Sequence, residues 1–159
     1  MFTDVRAVIS DCIAENELTR KAIEALPDAQ HGWRPHAKGR TAGELAWHLV
    51  TGRKWFLEEQ LKLPISDGLK LACAKQPAST AHMLEALDAL VAEQIDQLRG
   101  KDEYWLREDV EFFGRNTTLG GILYSMHKHE AHHRGQLSAY LRAVGAKVPS
   151  IYGPSGDDE

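Results

Sequence analysis

The chain has 159 residues, with 19 Lys and Arg against 23 Asp and Glu, a net charge of −4 when histidines are neutral. That length suits one domain with a full core, and the acid excess argues against the basic face of a nucleic-acid binder. No run of about eighteen apolar residues is present, which excludes a transmembrane helix, and two cysteines outside any CxxC pattern, Cys12 and Cys73, point to a reduced, cytoplasmic setting.

The opening run Met1-Phe2-Thr3-Asp4-Val5-Arg6 lacks the basic-then-apolar order of a secretory leader. A first helix is predicted from about Asp4 to Leu26, with Thr3 as its N-cap. Its inward stripe is Val5, Ile9, Cys12, Asn16, Thr19, Ile23 and Leu26, in which Asn16 and Thr19 are polar intrusions. Pro27 ends it. The loop Pro27 to Arg40 carries Trp33-Arg34-Pro35-His36, a rigid turn with an aromatic anchor.

Thr41-Ala42-Gly43-Glu44 is a capping box, hydroxyl at N-cap and carboxylate three residues on, so a second helix starts there and runs to about Leu61. Its core stripe is Leu45, His48 with Leu49, Gly52, and Trp55 with Phe56. Lys62 to Ala78 is a loop holding Pro64, Gly68 and Pro77, with room for a short irregular helix. A third helix runs from Ser79 to a C′ glycine at Gly100, on the stripe Leu84, Leu87, Val91, Ile95 and Leu98. Lys101 to Asn116 is polar, anchored by Trp105 and Phe112-Phe113. A fourth helix runs from about Thr118 to Val144 and stops at Gly145. The semi-apolar tail from Val148 to Pro154 is expected to lie extended along the helices, with Asp157-Asp158-Glu159 frayed. Four amphipathic helices and no convincing strand predict an all-α fold over residues 1–159, a four-helix bundle. The long loops after the second and third helices call for at least one crossover connection.

The fourth helix contains His127-Lys128-His129-Glu130-Ala131-His132-His133-Arg134-Gly135-Gln136. His129 and His133, spaced i, i+4, stack on one helical face. That face is apolar, through Leu119, Ile122, Met126, Tyr140 and Val144. Neutral imidazoles turned toward a core are costly unless their nitrogens are used. A transition metal uses them; the alternative is a pair of core histidines bonded to backbone carbonyls or water. His48 taken alone reads as an ordinary helix histidine and gains weight as a third inward one. Three imidazoles are the ligand count of a catalytic zinc site, which keeps a coordination position for substrate. His127, His132 and His82 fall off the stripes and are expected to face solvent; His31 and His36 lie in the first loop. The pattern His-Glu-x-x-His is absent. Glu130 stands about 100° round the helix from His129 and reads as a solvated or inter-helix partner, which disfavours a zincin-type protease. No Ser-His-Asp pattern, P-loop or dinucleotide fingerprint is present.

His129 to Gln136, followed by Leu137-Ser138-Ala139-Tyr140-Leu141-Arg142 and Gly145, resembles the C-terminal helix motif of the DinB/YfiT-like superfamily. Val148-Pro149-Ser150-Ile151-Tyr152-Gly153, Trp33-Arg34-Pro35 and Thr41 to Leu49 are similar to further segments of the same family. The resemblance implies a four-helix bundle with a crossover and a divalent metal, zinc or nickel, held by His48, His129 and His133. It also implies kinship with S-transferases and isomerases that use low-molecular-weight thiols, a small-molecule substrate, and a homodimer. On that reading a metal lowers the pKa of a bound thiol and supplies a nucleophile at neutral pH. Asn16 is a candidate to orient substrate or water, against a plain helix-packing bond. Glu44, one turn before His48, and Gln136 are candidates to hold ligand rings from behind; Glu44 also has its capping role. Arg134 is expected to pair with an acidic neighbour or an anionic substrate. Ala131, Gly135 and Ser138 form a small-residue strip, expected to pack closely on another helix within the bundle or across a dimer. Besides the thiol transferase, a metal-dependent hydrolase and a non-catalytic stress-related binding protein fit the same residues.

Overall fold

The computed structural model describes residue 2 and residues 4–158. Among the described residues six α-helices occur in chain order: α1 (Val5–Glu24), α2 (Ala42–Trp55), α3 (Asp67–Ala72), α4 (Thr80–Arg99), α5 (Glu103–Leu106) and α6 (Leu119–Ala143). Two strands, β1 (Asp109–Phe112) and β2 (Arg115–Thr118), separate α5 from α6.

Each long helix begins where a short polar side chain can satisfy a free N–H. Asp4 Oδ1 accepts from Ala7 N at 2.9 Å. In the capping box, Thr41 Oγ1 accepts from Glu44 N while Glu44 Oε2 accepts from Thr41 N at 2.7 Å. Ser79 and Thr118 cap α4 and α6 in the same way. Such caps are each worth about 1 kcal/mol. The cap expected at Thr3 lies outside the described residues, and Asp4 does the capping. At the far end of α6, Gly145 takes a left-handed φ of 73°. Ala146 N then reaches Leu141 O at 2.9 Å and Gly145 N reaches Arg142 O at 3.2 Å, a Schellman closure. Gly100 differs from expectation: its φ is −90°, so α4 ends without a left-handed residue.

The fold is mostly helical. Both α1 and α2 pack chiefly on α4 and α6, so the long helices follow the order α1, α4, α2, α6 around the core. Successive helices α1 and α2 therefore face each other diagonally, as do α4 and α6. The chain crosses the end of the core after α1 and after α4; of the two long loops expected to supply a crossover, the one after α4 does so and the one between α2 and α4 does not. The loop after α2 instead folds into α3. Cys12 and Ile23, Leu49 and Val50, Met83 and Leu87, and Leu123 and Met126 meet in the interior, all fully buried. Among the described residues no helix is long and apolar enough to cross a membrane.

Three local features depart from the sequence reading. Lys101 to Asn116 contains a β-hairpin, paired in register Asp109↔Thr118 through Phe112↔Arg115. Its two-residue loop, Phe113-Gly114, has φ of 51° and 72°, the double positive φ of a type I′ turn, whose twist suits antiparallel strands. The second feature is at the end of α2, where Phe56–Gln60 forms a π-helical turn closed by Leu61 N to Phe56 O at 2.9 Å. The helix thereby reaches Leu61 with a wider last turn. Third, the tail is bent and tied down. Asp157 pairs with Arg142 at 2.9 Å and accepts from Val148 N at 2.8 Å, while Asp158 accepts from Ser150 and Ser155. The expected fraying is contradicted at both aspartates, and Glu159 lies outside the described residues.

Gly135 is exposed, and a Cβ placed there meets nothing within 4 Å. At Gly135 the close packing expected of the strip is absent among the described residues. Gly135→Ala is therefore expected to stabilise the protein by about 0.5–1 kcal/mol, because alanine loses less backbone freedom in a helix. The urea midpoint should rise; a fall would place this face in an interface between copies.

Candidate metal centre

The packing of α2 on α6 brings His48 against His129 and His133. Each ring offers a nitrogen, and the three nitrogens all lie within 4.8 Å of one another. His129 Nε2 stands 3.1 Å from His48 Nε2. The ring centroids are 4.9 Å (48–129), 4.6 Å (48–133) and 4.5 Å (129–133) apart. Gly52, one turn beyond His48, makes room for this cluster. A Cβ on it would stand 2.6 Å from His129 Cε1, closer than carbon atoms approach.

Several observations fit a divalent transition metal. Imidazole suits zinc and nickel alike. Two nitrogens held tetrahedrally at about 2.0–2.1 Å from one zinc ion stand about 3.3 Å apart, close to the His48–His129 spacing. His129 turns Nε2 to the cluster, while its other ring nitrogen, Nδ1, is buried with no hydrogen-bond partner, a cost of about 1–3 kcal/mol that a metal on Nε2 would not remove. Burial first, then Arg40 and the neighbouring rings, hold His48 down at a pKa of about 4. Burial, then His133 and His132, do the same for His129, also about 4. His133 is lowered as well, by burial, against an opposing hydrogen bond from Gln136. All three rings are thus neutral at pH 7, the form that binds a metal.

The remaining candidates separate. Gln136 Oε1 accepts from His133 Nδ1 at 2.7 Å, which leaves Nε2 of that ring with its lone pair free for the cluster. Glu44 is exposed and its carboxylate is engaged in the capping box, away from His48. Asn16 is buried with Oδ1 unpartnered, and it does not line the cavity beside the histidines. That cavity, about 290 Å³, is walled by His48, Thr51, Gly52, Trp55, Phe56, Phe113 and His129. Phe113 and Thr51 were not singled out as site residues in the sequence.

Behind the site runs a buried polar network. Arg53, on α2, donates from Nε to Glu130 Oε1 at 2.9 Å and from Nη2 to Glu130 Oε2 at 2.7 Å. Its Nη1 donates to Gln94 Oε1 at 2.9 Å. Gln94 Nε2 donates to Cys12 Sγ at 3.4 Å, and Cys12 in turn meets His127 Nε2 at 3.5 Å. His127, only 6% exposed, donates from Nδ1 to Asp11 at 3.2 Å. The solvent-facing position expected for His127 is therefore wrong: α1 covers that side of α6. Arg134 is also fully buried; it pairs with the Glu15 carboxylate and reaches Thr19 Oγ1 at 2.8 Å.

A family model described as DinB family matches residues 1–158. The chain belongs to the DinB family. The uncharacterized protein YrdA of Bacillus subtilis (strain 168) is 27% identical over 161 residues, covering 99% of this chain and 93% of that protein. The uncharacterized protein YjoA of the same organism is 23% identical over 142 residues, covering 87% and 89%. The crystal structure of a DinB-like protein from Bacillus cereus ATCC 10987 superposes with a TM-score of 0.83 at 22% identity, covering 96% of this chain and all of that one. That of YjoA gives 0.69 at 21% identity, covering 94% and 99%. These two likenesses speak to the DinB fold.

Gly52→Ala is expected to push the His129 ring aside and weaken zinc binding at least about tenfold, with the far-UV circular dichroism unchanged; calorimetric titration reads the difference. Glu130→Gln removes one partner of the buried pair and leaves Arg53 charged in the core. A loss of about 3–5 kcal/mol in unfolding free energy is expected, measured in urea.

Proposed function

We propose that this DinB-family protein binds zinc or nickel through His48, His129 and His133 and catalyses thiol-dependent group transfer to a small molecule. The observation that carries the reading is the cluster of three neutral imidazole nitrogens within 4.8 Å, two of whose rings form part of an apolar cavity wall. A divalent metal at the cluster supplies Lewis acidity and lowers the pKa of a thiol brought to it.

The chain's own residues then have distinct tasks. Gln136 fixes the tautomer and tilt of His133. Gly52 admits the His129 ring. Thr51, Phe56 and Trp55 line the cavity beside the cluster, where a charged nucleophile would be less solvated than in bulk water. The thiol is external. Cys12 is buried, and burial pushes its pKa up to about 12, so it provides no thiolate at neutral pH. Cys73 is raised by burial too and sits at the end of α3.

A metal-dependent hydrolase is the second reading, because a metal at the cluster would also lower the pKa of a bound water; among the described residues no carboxylate lines the cavity to act as a protein base, and Glu130, the acid next to His129 in sequence, is bound to Arg53. The reading includes a cytoplasmic protein acting as a homodimer on small molecules, with no nucleic-acid partner.

Elemental analysis of protein purified without an affinity tag tests the centre. About one equivalent of zinc or nickel is expected in the wild type and none in His129→Ala. Absence of metal, with no uptake when zinc or nickel is titrated, would mean that the three histidines are a core network. In cobalt-loaded protein, a visible absorption change on adding a thiol is expected for the transferase, and no change for a hydrolase.

A further inference from the structure

Phe113 sits against the preferences of its own turn. The first position of a type I′ loop requires positive φ and favours Asn, Asp or Gly. Here it holds a phenylalanine at φ 51°, a conformation costly for a bulky side chain. The ring is also 81% exposed, so burial in this chain does not offset that cost. It is not loose in solvent. It lies nearly parallel to Trp55, with centroids 6.2 Å apart and planes 22° apart, and it contacts Phe112 at 4.5 Å. Trp55, itself 37% exposed, leans on Phe56 at 5.0 Å, and Phe56 reaches the His129 ring at 5.6 Å. An unbroken aromatic surface thus runs from the hairpin tip to the histidine cluster.

We infer that Trp55, Phe56 and Phe113 form the binding pocket for an aryl group of the substrate, and that Phe113 is a specificity-determining residue. The inference rests on the metal-centre reading and adds the substrate class. An apolar cavity of about 150 Å³ is enough for benzene, so about 290 Å³ takes a phenyl ring and the linker that joins it to the reacting atom. Aromatic walls give an aryl group edge and face contacts beyond simple area burial.

The test uses cobalt-loaded full-length protein and two probes, 2-phenylethanethiol and ethanethiol, with affinity read from the thiol-dependent absorption band. Wild type is expected to bind the aryl thiol about tenfold more tightly. Phe113→Asn creates the dipeptide this turn favours, so its melting temperature should hold or rise and its cobalt affinity should not change. The aryl preference should fall below about threefold. Phe113→Gly, which relieves the left-handed φ altogether, serves as the second variant. An equal affinity for both thiols in wild type, or an undiminished preference in both variants, overturns the inference. If cobalt does not bind, the metal reading fails, yet the pocket remains testable: ligand-observed NMR of metal-free protein with 2-phenylethanol should show binding that Phe113→Asn abolishes. Binding unaffected by that substitution overturns the pocket as well.

Discussion

The buried pair Arg53–Glu130 is the constraint on which the site geometry depends. Both side chains are fully inaccessible and meet through two parallel hydrogen bonds. Removing two charges from water costs several kcal/mol per ion, recovered only with good geometry and further hydrogen bonds. Those bonds come from across the helices: Gln94 of α4 takes the remaining Arg53 branch, so each guanidinium nitrogen has a partner. Arg53 follows His48 by five residues on α2, and Glu130 follows His129 by one on α6. A slip of either helix by one residue would turn its side chains by about 100° and strand a charge in the core. Apolar contacts between the same helices would tolerate such a slip at far lower cost. The ion pair therefore fixes the register in which His48 faces His129 and His133.

The network beyond the pair joins the other helices to the same register. Gln94 touches Cys12 of α1, and Cys12 meets His127 of α6. Farther along α6, Arg134 binds the Glu15 carboxylate, the Glu15 carbonyl and Thr19 of α1, and its guanidinium lies over the Tyr152 ring of the tail. The polar residues that interrupt the α1 stripe are thereby accounted for in part. Thr19 accepts from Arg134, while Asn16 Oδ1 has no partner and no assigned task. Because α6 contacts both α1 and α2, its buried face is wide enough to hold an arginine, a glutamate and a histidine besides its leucines.

What the sequence made legible was local. The capping box at Thr41, the stop at Gly145 and the i, i+4 spacing of His129 and His133 each depend on residues within one or two turns, although the two histidines are half-buried beside the α6 stripe that carries Met126, Glu130, Arg134 and Leu137 rather than on it. His48 was legible because one helical stripe held it. The buried charges were not. Arg53 and Glu130 are 77 residues apart, and nothing local distinguishes a paired core arginine from a solvated one. His127 failed for the same reason, since its cover comes from α1. The hairpin was missed because its strands are four residues each, the second is Arg-Asn-Thr-Thr with no apolar alternation, and Phe-Gly is not a usual type I′ signal. The role of Gly52 was invisible, because the atom it makes room for belongs to another helix.

Irregular backbone is concentrated around the histidines. The π-turn Phe56–Gln60 begins at a residue that touches His129, and the left-handed Phe113 lies over Trp55 at the other side of the same cavity. The unpartnered His129 Nδ1 and three desolvated imidazoles add further unfavourable terms to this corner of the fold. Such terms persist where the surroundings over-determine the local structure. Here the surroundings are the Arg53–Glu130 register, the capped start of α2 and the Schellman closure of α6. A bound metal would offset the desolvation of the rings, and an aryl ligand would cover Phe113. Both remedies lie on the cavity side of α6, whereas its core side relies on the chain's own hydrogen bonds to Arg53, Glu15 and Thr19, although Arg134 Nε there has no partner.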